Sequence, residues 1–84
     1  MTAQKYTAKS GRTLLRPNLS EREARHLMLG DEMLGWCLAC GSEQDGVEPD
    51  ARKYTCESCG EPMVYGIEEL LLRGIARIEG EVMA

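Results

Sequence analysis

Phenylalanine is absent from this 84-residue chain, which holds only one tryptophan, three tyrosines and one histidine. That scarcity excludes a core built on aromatic rings. A domain of this size buries only about 60% of the surface its unfolded chain exposes, so a second source of stability is expected. No long apolar run occurs, which argues against a signal-peptide core and a membrane span. The expected compartment is therefore the reducing cytoplasm, where paired cysteines serve metal or redox chemistry more than structural disulfides. The length suits one domain and not two.

Charge of one sign is also missing from part of the chain. Residues 1–20 contain Lys5, Lys9, Arg12 and Arg16 and no acid, whereas residues 21–84 contain all 14 acids and the remaining six bases. The N-terminal stretch, 1–17, has little periodicity and reads as a flexible basic arm, followed by a single domain over 18–84. Overall, the net charge of -4 argues against a wholesale nucleic-acid coat while leaving room for a local basic contact.

Four cysteines are present, as Cys37-x2-Cys40 and Cys56-x2-Cys59, separated by 15 residues and each pair followed by glycine: "CLACG" and "CESCG". This spacing falls within the range of zinc sites. Two residues between thiolates let the backbone fold into a tight knuckle that points both sulfurs at one ion, and a second knuckle completes a tetrahedron. After each turn the chain must curl back under the metal, a path that favours Gly41 and Gly60. Four thiolates also hold a single iron, but the few aromatics available to desolvate a redox centre favour one structural zinc ion. A thioredoxin-like dithiol would need only one pair within a βαβ pattern.

Around the cysteines, "SERE" from Ser20 has the capping-box form and predicts a short helix over about 21–29, stopped at Gly30. "ARKYTC" alternates as a strand and "PMVYG" returns beside it, while "SEQDGVEPD" reads as a solvent-facing tip. "GIEELLLRGIARIEGEV" places Ile67, Leu70, Leu71, Ile75, Ile78 and Val82 within an arc of about 140°, the stripe of an amphipathic helix. Gly74 offers a second reading, in which the helix ends after Arg73 and "IARIEGEV" continues as a strand. The expected fold is thus a small metal-stabilised α+β domain, a three-stranded antiparallel sheet flanked by a short N-terminal helix and a C-terminal amphipathic helix.

The doubled CxxCG element resembles the zinc-ribbon family, over roughly residues 33–66. That resemblance implies a three-stranded antiparallel ribbon gripping one zinc between two knuckles, and it fits many functions. "DARKYTCESCGEPMVYGIEELLLRG" also looks like small zinc-ribbon proteins of bacteriophages and prophages.

A closed set of four thiolates leaves no coordination position for substrate. His26, on the first helix, reads as a surface residue, and Glu68 and Glu69 read as first-turn acids rather than a catalytic pair. No enzyme activity is expected. The leading expectation is a regulator or adaptor that docks on a larger protein, as a phage protein would on a host nucleic-acid machine. Leu71, Ile75 and Ile78 are its candidate contacts or the seam of a homodimer. The alternative is direct DNA or RNA binding through Lys5, Lys9, Arg12, Arg16, Arg52, Lys53 and Tyr54.

Overall fold

A computed structural model describes residues 1–29 and 33–79. Along the chain run β1 (Thr2–Thr7), β2 (Thr13–Ser20), α1 (Glu21–Leu29), β3 (Leu34–Cys37), β4 (Glu43–Asp45), β5 (Val64–Gly66), α2 (Ile67–Leu72) and β6 (Arg77–Glu79). The strands form two sheets of three, ordered β1-β2-β6 and β4-β3-β5, so the class is a small α+β fold.

The first sheet departs from the sequence reading. Residues 1–17, expected as a structureless arm, supply β1 and most of β2, paired antiparallel from Thr2↔Asn18 to Thr7↔Thr13. Gly11 makes the turn possible with a φ of 87°. Along β1 nearly every residue is exposed, so no apolar alternation betrays the strand, while β2 buries Leu14, Pro17 and Leu19. In α1 the capping box closes as expected: the Glu23 amide donates to Ser20 Oγ at 3.1 Å and the Ser20 amide to Glu23 Oε1 at 3.0 Å. The predicted stop at Gly30 lies outside the described residues.

The C-terminal segment follows the second of its two readings. α2 ends at Leu72, Gly74 adopts φ 72°, and residues 77–79 join β2 in parallel. The long amphipathic helix is thereby corrected: a glycine free to reverse the chain ends α2, and the apolar residues beyond it reach the core from a strand. Leu71, Ile75 and Ile78 are partly buried and pack against the main core cluster; Val82 lies outside the described residues. Leu72 instead is 81% exposed.

In the second sheet β3 is central, pairing antiparallel with β4 and β5. Of the strand expected at "ARKYTC", only the Tyr54↔Val64 bridge forms, and the expected tip contains β4. Gly35 and Gly66 are register partners, and each allows the 47–51 segment to lie across the sheet. A Cβ on Gly35 would sit 2.7 Å from Val47 Cγ2, and one on Gly66 2.3 Å from the Pro49 carbonyl oxygen.

The two sheets are tied at Leu15. Its amide donates to the Leu38 carbonyl at 2.8 Å, and its carbonyl accepts from Trp36 Nε1 at 3.0 Å. The main core gathers Leu14, Leu19, Ala24, Trp36, Leu38, Tyr65, Ile67, Leu70 and Ala76 from both sheets and both helices. A smaller cluster of Cys37, Val47, Ala51, Cys56 and Val64 lies beneath the cysteine site.

Candidate metal centre

Cys37 ends β3, and Cys40 follows it by one tight turn; Cys56 and Cys59 make the same turn after the Tyr54 bridge. The two turns share one hydrogen-bond plan. Gly41 donates to the Cys37 carbonyl at 2.8 Å and Gly60 to the Cys56 carbonyl at 2.9 Å. The Cys37 amide donates to Ser42 and the Cys56 amide to Glu61, both at 2.9 Å. Gly41 and Gly60 have φ of 76° and 79°, the left-handed values their place after each pair requires.

All four Sγ atoms lie within 4.8 Å of one another. Across the knuckles, Cys37 Sγ is 3.7 Å from Cys59 Sγ and Cys40 Sγ 3.6 Å from Cys56 Sγ. A tetrahedron with metal–sulfur bonds of about 2.3 Å has sulfur–sulfur edges of about 3.8 Å, so the four thiols fit one metal ion, and the donor set is compatible with zinc. Cys37 and Cys56 are buried, whereas Cys40 and Cys59 face solvent.

The protein prepares these sulfurs unequally. Amides of Cys59 and Ser58 donate to Cys56 Sγ at 3.4 and 3.3 Å. These bonds, that of Cys59 foremost, stabilise the thiolate and bring the Cys56 pKa down to about 6, while burial pushes Cys37 up to about 12. Cys56 is therefore the thiolate first offered to a cation, and a cation must displace the proton from Cys37.

The other residues singled out in the sequence are not gathered at this site. Arg12 pairs with Glu61 at 2.6 Å, joining the β1–β2 turn to the second knuckle. Arg16 stacks over the Tyr6 ring at 4.5 Å. Lys5 and Lys9 are exposed on the hairpin. Arg52 bonds Glu69 at 3.2 Å, Lys53 takes a positive φ of 55°, and the Tyr54 hydroxyl donates to Glu48. Arg52 and Tyr54 thus already have acidic partners.

Glu69 is a first-turn acid of α2, as expected from the sequence, and it also serves as a brace. It is 6% exposed and accepts from Arg73 Nε at 2.5 Å as well as from Arg52. Those bonds, that of Arg73 first, hold its carboxyl below the ordinary range. The Glu69 amide also bonds the Pro49 carbonyl, fixing the 47–51 segment to α2. The spacing Glu69–Arg73 carried the signal for half of this brace; nothing local signals Arg52.

Among the described residues, no helix is long and apolar enough to cross a membrane. Set against protein-family models, curated proteins and solved structures, the chain matches none.

Proposed function

We propose that this chain is a non-enzymatic zinc-ribbon module, in which one structural zinc ion fixes a small scaffold whose surface docks on a larger partner as a regulator or adaptor. The observation that carries this reading is the four-sulfur cluster, with edges of 3.6 and 3.7 Å across two matching knuckles. Four thiolates fill a tetrahedral zinc and leave it no open position for water or substrate. The metal's role is then to join β3 to the segment before β5, so that the cores on either side form together.

Direct contact with nucleic acid is the second reading, favoured by one observation: the hairpin carries Lys5, Lys9, Arg12 and Arg16 and no acid. A bait experiment tests the module reading. Zinc-loaded protein on a support should capture a partner from its native lysate, and a Cys40→Ser/Cys59→Ser double variant should lose both zinc and capture. Capture that is indifferent to zinc, or zinc-dependent turnover of a substrate, would contradict the reading.

A further inference from the structure

The β1-β2-β6 sheet has two unlike faces. On one, Leu19 and Ile78 are register partners, Leu19 fully buried and Ile78 packed against the core. Leu15 and Ala3 lie on the same side, their side chains 3.1 and 3.6 Å from where a Cβ on Gly41 would stand. The opposite face carries Tyr6 opposite Leu14 at the turn end, where both pack into the main core, and beyond them Gln4 opposite Arg16, Thr2 opposite Asn18, and Arg77 beside Asn18. Asn18 Nδ2 donates to Gln4 Oε1 at 3.1 Å across this face. Thr2, Gln4 and Arg77 are exposed, and Arg16 and Asn18 half-buried.

The arginines of this face differ from most of the other arginines in the molecule. Arg12, Arg25, Arg52 and Arg73 each hold a carboxylate. Arg16 and Arg77 hold none among the described residues, and Arg16 Nε is buried with no hydrogen-bond partner. A buried donor left unspent is unusual in a folded chain. Arg16 lies over the Tyr6 ring at 4.5 Å, which holds its guanidinium on this face. Neither β1 nor β2 contains an acid.

We propose that the part of this face beyond Tyr6 and Leu14 is a docking surface for single-stranded nucleic acid, gripped at its phosphodiester backbone by Arg16 and Arg77. Charge complementarity selects the ligand: two uncompensated guanidiniums favour phosphate, to which they bind in bidentate fashion. Gln4 and Asn18 add neutral donors and acceptors beside them. Three strands give a platform only about 10 Å across, which suits one strand, and a basic surface that tracks the phosphates is the usual path for one. The proposal takes up the second reading, direct contact with nucleic acid, and rests on the same zinc-stabilised fold.

Fluorescence anisotropy of a labelled 15-nucleotide oligothymidine, titrated with zinc-loaded protein between 50 and 200 mM salt, tests it. Binding should saturate, with a log–log salt slope of about -1.4 for two phosphate contacts on a single strand. Arg77→Gln and Arg16→Gln should each reduce that slope by about 0.7 and weaken binding several-fold, and Arg25→Gln, on α1, should change neither. If a variant misfolds, amide shift mapping of the wild-type chain decides instead: the oligonucleotide should move residues 4, 16, 18 and 77. No binding at 50 mM salt, shifts confined elsewhere, tighter binding to duplex, or binding only to an oligoglutamate peptide would each overturn the assignment. In any of those cases, one zinc per chain and intact amide dispersion would leave the module reading standing; loss of both would remove that reading itself.

Discussion

The two knuckles are the same device in different surroundings. Backbone bonds and glycine angles match between Cys37–Gly41 and Cys56–Gly60. Yet Leu38 in the first is 3% exposed and belongs to the main core, while its counterpart Glu57 in the second is exposed. Gly41 lies under the hairpin, with Leu15, Ala3 and Trp36 around it; Gly60 has nothing within 4 Å. The local motif thus requires cysteine spacing and glycine alone. What surrounds it decides whether a knuckle also carries tertiary stability.

Substitutions at matched positions should separate these contributions, the largest effect coming from the core. Leu38→Ala should cost about 2–4 kcal/mol, as buried leucines do, and Glu57→Ala less than about 0.5 kcal/mol, as exposed changes do; urea unfolding of zinc-loaded protein measures both. Similar losses at the two positions would end the distinction. Next come the glycines. Gly60→Ala should cost about 1–2 kcal/mol for its left-handed backbone alone. Gly41→Ala should cost more, because its new Cβ would also stand 3.1 Å from Leu15 Cδ1. Trp36→Phe keeps a ring but removes the Nε1 bond to Leu15, so a loss of about 1–2 kcal/mol is expected, read by the same unfolding curves. Last, Arg12→Gln breaks the exposed pair between the hairpin turn and Glu61 and should leave the melting temperature nearly unchanged, since such pairs contribute little.

The same contrast explains what could be read in advance. The cysteine quartet, Gly41, Gly60 and the Ser20–Glu23 cap depend on neighbours a few residues away, so sequence spacing exposes them. The hairpin does not: β1 turns nearly all its side chains to solvent, and β2 is recognised only by what it covers. "KSG" before Thr13 was a turn signal, with Gly11 at φ 87°, but without an apolar face beside it the basic charge read as an arm. Gly74 was legible as a stop, although the pairing of residues 77–79 with β2 depends on a strand far away in sequence. The brace at Glu69 and the cover of Gly35 and Gly66 by residues 47–51 are likewise long-range, and no local period reports them.

Metal removal addresses the central claim, that one metal ion held by Cys37, Cys40, Cys56 and Cys59 joins the two knuckles into a fold. Structural zinc contributes an apparent 10–16 kcal/mol or so in finger peptides, comparable to the whole stability of a domain, about 5–15 kcal/mol. Elemental analysis should find one zinc per chain, and chelation followed by amide NMR should collapse the dispersion of residues 33–66. A metal-free preparation, or an amide spectrum that keeps its dispersion after chelation, would contradict it.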